Sequence, residues 1–416
     1  MHDKAFLLYL LFVVSWFTHL AGRIPALGII RFDFVLVVIL MILAIFRSTE
    51  ETPEETDVGK YLKLILVYAI VTLPFVEWPG SVLRIGLIQF IKAIVFYFFT
   101  IKFVRNEGQM KLFITVFLGS QIFRILEPLY LHVTQGYWGS AASMADWQFM
   151  NRLSGAPHDI VNPNGLAFII VSILPFIYYY AKLNKKVFLI SLFLIPVMTW
   201  TLILTASRSG FVALLAIIGL IVMKTKRKFL FVLVVILCVF AGYPFLSANQ
   251  KDRYFSIVSK DTQNAATSAG RIEGVKKSLQ VALHRPMFGH GLGTSKEASW
   301  NYGQSTHLAH NLYAEVAQEL GFIGLLFFLI YIYSIFKELK KANIQWHPDE
   351  NQDSNFIQVS YCALWIFFFM NLVFSLASYG LSGYEWYLMP ALIVVLRRIQ
   401  TCDVELVEKN INGKIS

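Results

Sequence analysis

The chain has 416 residues, of which 56% are hydrophobic and 15% are charged, and its mean hydropathy is +0.59. Soluble domains contain roughly a quarter charged residues, so this composition excludes an ordinary soluble globular protein. The net charge of +10 does not indicate a nucleic-acid partner, because the basic residues lie between apolar runs, as topology determinants do. We expect an all-α polytopic membrane protein with one transmembrane domain over residues 1–416.

Apolar runs long enough to cross a bilayer recur along the whole chain, and about twelve spans are predicted by that criterion. The first is interpreted as a retained helix, because the small-residue cleavage pattern of a signal peptide is missing. The predicted spans are residues 5–21, 32–46, 61–76, 85–101, 112–131, 163–181, 187–206, 210–223, 229–246, 312–336, 357–379 and 384–396.

Lysine and arginine are distributed unequally between the two sides of the predicted bundle. They concentrate in every second connection, in the segments 102–111, 182–186, 224–228, 337–341 and 397–398. The positive-inside rule places these segments in the cytoplasm together with both termini. Residues 132–162 and 247–311 then form two outward loops, which face the periplasm if the cell has an outer membrane.

The larger outward loop, 247–311, is the longest polar segment between apolar runs. Residues 271–285 predict an amphipathic helix, which Pro286 ends. Its apolar positions are Ile272, Val275, Leu279, Ala282 and Leu283. Such a helix would lie in the membrane interface, or it would pack over the bundle. The FGHGLG sequence at 288–293 indicates a tight turn rather than a phosphate-binding loop, because the accompanying strand and lysine are missing.

Three arginines on the outward side are candidate anion ligands: Arg152 in RLSG, Arg208 in SRSG and Arg271 in GRIEG. A guanidinium group stays protonated and forks onto phosphate oxygens, and a charge near membrane depth usually marks function. The alternative for each is a snorkelling interfacial arginine or an internal ion pair. Arg208 is expected in a tight turn between two apolar runs, with Ser207 as possible support.

His310 lies where the polar segment meets the next long helix. An imidazole with a near-neutral pKa can accept a proton from a hydroxyl group. The alternative is a structural or capping histidine. His307, Asn311 and Tyr313 are possible supporting residues. The outward acidic residues show no paired-carboxylate or His–Glu spacing, so neither a metal nor a cofactor is predicted. The three cysteines lie outside this segment, and they suggest no disulfide framework or thiolate site.

Arginines and a histidine at the outer face suit a donor that brings its own leaving group. A lipid diphosphate is such a donor, because its phosphates need cations and the diphosphate leaves readily as an anion. The acceptor hydroxyl would need a base. A single displacement at a sugar carbon would then proceed with inversion.

Four motifs together resemble the O-antigen ligase and O-antigen polymerase superfamily of lipid-linked glycan transferases. They are SRSGFVALL (207–215), AGRIEG (269–274), RPMFGHGLG (285–293) and AHNLYAEVAQELGFIGLL (309–326). RLSG followed by NPNGLA (162–167) resembles a further motif that is common among the polymerase members.

The resemblance implies a GT-C-like helical membrane fold with a periplasmic loop that contains short helices. It implies inverting, metal-independent transfer of a glycan from undecaprenyl diphosphate at the periplasmic face of the bacterial inner membrane. Arg208 and Arg271 would hold the diphosphate, with Arg152 as a further ligand. His310 would activate the acceptor hydroxyl.

Three functions remain open from the sequence. A ligase would pass the glycan to the lipid A–core of lipopolysaccharide. A polymerase would use the same donor and extend a growing glycan. A non-enzymatic transporter of an anionic lipid or solute is the third, although broken helices and an intramembrane charge pathway would be expected for it. The expected partners are the lipid-linked glycan, its acceptor and membrane lipids, with no nucleic acid.

Overall fold

The computed structural model describes residues 3–46, 56–139, 151–159, 161–226, 228–246, 248–255, 265–303, 310–342, 355–378 and 380–412. Within them every regular element is helical, which confirms the predicted fold class. The α-helices are α1 Lys4–Thr18, α2 Leu20–Arg23, α3 Pro25–Ile29, α4 Phe32–Phe46, α5 Asp57–Val71, α6 Pro79–Ser81, α7 Leu87–Phe103, α8 Glu107–Gln135, α9 Pro163–Tyr180, α10 Lys185–Thr205, α11 Arg208–Lys224, α12 Lys228–Gly242, α13 Ala248–Phe255, α14 Ala265–His284, α15 Ser295–Gly303, α16 Leu312–Lys341, α17 Phe356–Ser375 and α18 Glu385–Asn412.

Each predicted span coincides with one of these helices. Among the described residues, six helical stretches are long and apolar enough to cross a membrane: α8, α9, α10, α16, α17 and Pro79–Phe103, which joins α6, a π-helical turn and α7. Shorter apolar helices include α1 and α4. A polytopic membrane protein is therefore confirmed, and the count of twelve spans stays a prediction.

The chain divides into two compact units. The first comprises the described residues within Met1–Phe46, Lys111–Ala266 and Ile344–Phe374. The second comprises those within Arg47–Met110, Thr267–Asn343 and Ser375–Ser416. The single transmembrane domain and the two outward loops expected from the sequence stay predictions.

The first unit is built around α9, which packs against α10 and α11. Asn162 caps α9 by accepting a hydrogen bond from Gly165 N at 2.9 Å. Gly210 allows α11 to approach α9, since a side chain there would meet Ala167 Cβ at 2.7 Å. Most of α9 is buried and most of α10 is not, as expected when one helix fills a core and the other faces lipid.

In the second unit, α16 packs against α5, and α18 packs against α7. α16 is kinked at Gly321, which has φ +70° and ψ −178°. Glycine suits this position, because a side chain would meet Met287 O at 2.4 Å and the left-handed region disfavours other residues. Tyr68 donates its hydroxyl to Met287 O at 2.8 Å and to Leu320 O at 3.1 Å. The Tyr68 hydroxyl therefore connects the kink of α16 to the loop after α14.

The described residues of the predicted polar segment 247–311 form three helices, α13, α14 and α15. The helix expected over 271–285 is confirmed as α14, although it begins earlier, at Ala265. Ile272 and Leu283 are 65% and 63% exposed, and Leu279 is 40% exposed. This exposed apolar face is what a helix in the membrane interface presents to lipid.

Candidate functional site

The turn between α10 and α11 consists of Ala206 and Ser207, so the tight turn expected at SRSG is confirmed. Ala206 has a left-handed conformation with φ 46°, which is uncommon for a residue with a side chain. Ser207 is the N-cap of α11, and its Oγ accepts a hydrogen bond from Gly210 N at 3.2 Å. Arg208 is thereby the first residue of α11.

Arg152 and Ser207 meet at Asn164, which lies in the first turn of α9. Arg152 donates to Asn164 Oδ1 at 2.9 Å, and the Ser207 hydroxyl donates to the same oxygen at 3.0 Å. Arg152 also donates through Nε to Thr205 O at 2.9 Å. The RLSG, NPNG and SRSG motifs, which are far apart in sequence, therefore come together at one point of the first unit.

Arg253 of α13 is a third arginine near this turn. It is 9% exposed, and its Nε donates to Ala206 O at 3.3 Å. Burial raises the pKa of Tyr254 to about 12, and the nearby positive charges of Arg152 and Arg253 oppose the rise. Arg208 is also buried, at 6% exposed.

Three arginines gather at this end of the first unit. Arg152, Arg208 and Arg253 lie around the N-terminus of α11, where helix dipoles and backbone N–H groups favour an anion. Guanidinium groups add forked donors of the kind that bind phosphate oxygens. The arrangement is chemically suited to hold an anionic group.

A buried ion pair fixes the loop that contains Arg152. Arg124 of α8 contacts both carboxylate oxygens of Asp159, at 2.6 and 3.0 Å, and His19 Nε2 lies 3.1 Å from Oδ1. Burial alone would raise the pKa of Asp159, but the neighbouring His19 and Arg124 side chains lower it to about 2. Asp159 is therefore ionised at neutral pH, and it anchors residues 151–159 to α8.

In the second unit, His310 is half-buried and immediately precedes α16. Asn311 is the N-cap of α16, since its Oδ1 accepts from Ala314 N at 2.9 Å, and its Nδ2 donates to Leu376 O at 3.1 Å. One turn further, Glu315 accepts from Gly380 N at 2.8 Å. Asn311 thereby fixes this helix start to the segment after α17, and its support of His310 stays a prediction. Tyr313 is part of the first turn of α16 and is half-buried.

The FGHGLG loop packs closely against two backbones. A side chain at Gly86 would meet Leu292 O at 1.8 Å, and one at Gly289 would meet Glu319 O at 2.4 Å. Gly293 N donates to Glu319 Oε2 at 2.7 Å, and Gly291 N donates to Glu319 O at 2.9 Å. These backbone donors are already engaged within the protein, so the structure favours the tight turn over phosphate binding.

His290, inside this loop, is fully buried and structural. Its Nδ1 lies 2.9 Å from Glu77 Oε2 and its Nε2 lies 2.9 Å from Val281 O. Tyr302 donates to Glu77 Oε1 at 2.8 Å. Burial would raise the pKa of Glu77, but hydrogen bonds from His290 and Tyr302 lower it. The network ties the segment before α6 to α14 and α15.

Two candidate residues are not described in full. Arg271 lies in α14, and its side chain is outside the described part. His307 lies outside the described residues. Among those that are described, no group of three or more histidine, cysteine, aspartate or glutamate residues could hold a metal ion. The metal-free reaction stays a prediction.

Sequence reasoning missed Asn164, Arg253 and Glu315. The NPNG sequence was recognised only as a motif. The hydrogen bonds of Asn164 could not be predicted, because Arg152 and Ser207 are distant from it in sequence. Arg253 had a usable signal, since it is a basic residue in a segment that the positive-inside rule places outside. Glu315 had none, because a single glutamate in a first helical turn is ordinary.

Residues 193–329, about a third of the chain, match the protein-family model described as O-antigen ligase. The resemblance to the O-antigen ligase and polymerase superfamily is thereby confirmed. The matched segment contains Ser207, Arg208, Arg271, His307, His310, Asn311 and Tyr313. The family consists of glycosyl-transferring ligases and polymerases, so the match supports an enzyme. No curated protein matches the chain.

Proposed function

We propose that the protein transfers a glycan from undecaprenyl diphosphate to a hydroxyl group of lipid A–core, as an O-antigen ligase of the bacterial inner membrane. The observation that supports this best is the group of arginines around the start of α11. Arg208 and Arg253 lie within the segment that matches the O-antigen ligase model, and Arg152 is hydrogen-bonded to Thr205 of that segment. Forked cations at a helix N-terminus suit a diphosphate.

The reaction follows from the chemistry of the donor. The acceptor oxygen attacks the anomeric carbon of the sugar, the bond from that carbon to the diphosphate oxygen breaks, and the lipid diphosphate leaves with the electron pair. His310 takes the proton of the acceptor hydroxyl. Arg208, Arg152 and Arg271 stabilise the negative charge of the leaving group. A single displacement of this kind inverts the anomeric centre, and its site would face the periplasm.

A polymerase that extends a growing glycan is the second candidate. One observation favours it, namely the hydrogen bond between Arg152 and Asn164, which joins RLSG to NPNG. That pair of motifs resembles one that is common among polymerase members. Both candidates use the same donor and differ in the acceptor.

Purified full-length protein supplied with undecaprenyl-diphosphate-linked glycan tests the proposal, with and without rough lipopolysaccharide. Glycan attached to lipopolysaccharide is the expected product. Longer lipid-linked chains formed without lipopolysaccharide would establish the polymerase instead. Absence of both products from protein that binds the donor would overturn glycan transfer. Addition of EDTA is expected to leave the rate unchanged, and a loss that Mg²⁺ restores would refute metal-free catalysis.

A further inference from the structure

A cavity of about 190 Å³ lies between α14 and α15 in the second unit. Backbone glycines and small hydroxyl side chains form its wall, and an ion pair stands at its rim. A water-sized sphere occupies about 10–15 Å³, so the cavity has room for on the order of a dozen non-hydrogen atoms. That is the size of one sugar ring with its substituents.

The wall of the cavity includes two buried serines, Ser278 and Ser299. Ser278 is 4% exposed and lines the cavity. A hydroxyl group in a cavity wall can both donate and accept a hydrogen bond. Ser299, also lining, accepts from Gln318 Nε2 at 3.1 Å, so its O–H can donate into the cavity.

The rim supplies both kinds of charged hydrogen-bonding group. Glu273 and Lys277 line the cavity and form an ion pair at 3.1 Å between exposed side chains. A carboxylate accepts hydrogen bonds and an ammonium group donates them. Together with the two serines, they match a ligand that presents several neutral hydroxyl groups in a small volume.

The cavity and the exposed apolar stripe occupy opposite faces of α14. Gly270, Gly274 and Ser278 line the cavity. Ile272 and Leu279 lie about half a turn away, at about 3.6 residues per turn. A helix whose apolar face contacts lipid would therefore turn the cavity toward the protein at the level of the membrane surface. A glycan on a lipid diphosphate emerges from the bilayer at this level.

The position along the helix favours the sugar nearest the diphosphate. Gly270, a lining residue, is the chain neighbour of Arg271, which is a proposed diphosphate ligand. A sugar linked directly to the diphosphate lies next to it.

We infer that the cavity between α14 and α15 is a subsite for one sugar residue of the glycan. Ser278, Ser299, Glu273 and Lys277 bind its hydroxyl groups, and the glycines make room for its ring. The inference depends on the proposed function, because it assumes that the substrate is a glycan. The position beside Arg271 favours a sugar of the donor, and the two arms of the kinetic test below distinguish donor from acceptor.

The probe is the repeat-unit oligosaccharide of the host cell, released from its lipid carrier by mild acid. Its binding to purified full-length protein is measured by saturation-transfer NMR. Gly303→Leu fills the cavity, and its new side chain starts in ordinary contact with Val281, at 3.4 Å from Cγ2. Loss of oligosaccharide binding is expected. Gly119→Leu is the matched control, since nothing lies within 4 Å of the added Cβ on α8, and it should bind normally.

Ser278→Ala provides a second variant that does not depend on filling the cavity. The substitution removes a single oxygen and should change Tm little, whereas loss of one hydrogen bond to the sugar should weaken binding about fivefold. A raised KM for the lipid-linked glycan assigns the subsite to the donor, and a raised KM for the acceptor assigns it to the acceptor. Unchanged oligosaccharide affinity in both Gly303→Leu and Ser278→Ala would overturn the inference. Wild-type protein that binds the oligosaccharide but transfers nothing would instead contradict the proposed function.

Discussion

Arg152 donates a hydrogen bond of 2.9 Å to the side-chain oxygen of Asn164. The bond fixes the loop 151–159 to the first turn of α9. Because the same oxygen accepts from Ser207, the geometry of Arg152 and the start of α11 depend on one amide group. Asn164 thus links three motifs that the sequence shows only as separate pieces.

Asn164→Asp distinguishes an anion site from a purely structural junction. The aspartate keeps the acceptor oxygen, but it adds a negative charge that competes with the substrate for Arg152. Two charges at about 4 Å near a protein surface interact by roughly 4 kcal/mol. We expect KM for the lipid-linked donor to rise at least about tenfold, with Tm unchanged or higher. Wild-type kinetics in the aspartate variant would show that the junction does not bind an anion.

Arg208→Lys is expected to lower kcat/KM for the donor by about 10-fold to 100-fold. Lysine keeps the charge, but it loses the forked geometry that fits phosphate oxygens, and a hydrogen bond to a charged group contributes about 1.5–3 kcal/mol. Arg84→Lys is the matched control, because Arg84 is exposed in the π-helical turn before α7. Equal kinetics in the two variants would exclude diphosphate binding by Arg208.

His310→Ala is expected to lower the single-turnover transfer rate by about 100-fold to 10,000-fold, the usual contribution of a general base. Donor affinity should change little, since the proposed role concerns the acceptor proton. His158→Ala, an exposed histidine of the first unit, should behave as wild type. If His310 only stabilises the start of α16, His310→Ala should lower Tm, and the transfer rate should not fall while the donor affinity stays the same.

The helices were predictable because a membrane span must be long and apolar, and a long apolar run is visible in the local sequence. α13 was missed because ANQKDRYF is polar. Its contacts to the end of α10, from Gln250, Arg253 and Tyr254 to backbone oxygens, are long-range in sequence. The kink at Gly321 could not be predicted either, since it exists because the Met287 loop packs against it.

In the candidate site, too, local features could be predicted from the sequence and contacts between distant segments could not. Arg208, Ser207 and Asn311 were identifiable because each lies at a helix start with a local signal, and the structure gives Ser207 and Asn311 capping roles. The contact of Arg152 with Asn164 joins residues from a loop and a helix, so periodicity could not reveal it. Arg253 could have been identified as a basic residue in a segment that the positive-inside rule places on the outward side.

Asp159 makes the stability of the first unit dependent on acid pH. Its pKa is about 2 in the folded protein and about 3.9 in an unfolded chain. The carboxylate therefore stabilises the fold above about pH 4, and this contribution of about 2 kcal/mol disappears as the pH falls toward 2. Asp159→Asn should lower Tm at pH 7 and show about half of that deficit at pH 3, because the folded-state pKa is about 2. Thermal unfolding in detergent at both pH values measures this, and an equal deficit at both would contradict it.

Gly86→Ala tests the close approach of the FGHGLG loop to the π-helical turn. The added methyl group would lie 1.8 Å from Leu292 O and 3.0 Å from Gly293 N, so one of the two backbones must move. Overpacking of this kind costs about 1–3 kcal/mol or more, and we expect a clear loss of Tm. Gly80→Ala, six residues earlier, meets nothing within 4 Å and should be neutral or slightly stabilising. If the two variants unfold at the same temperature, the loop does not pack against Gly86.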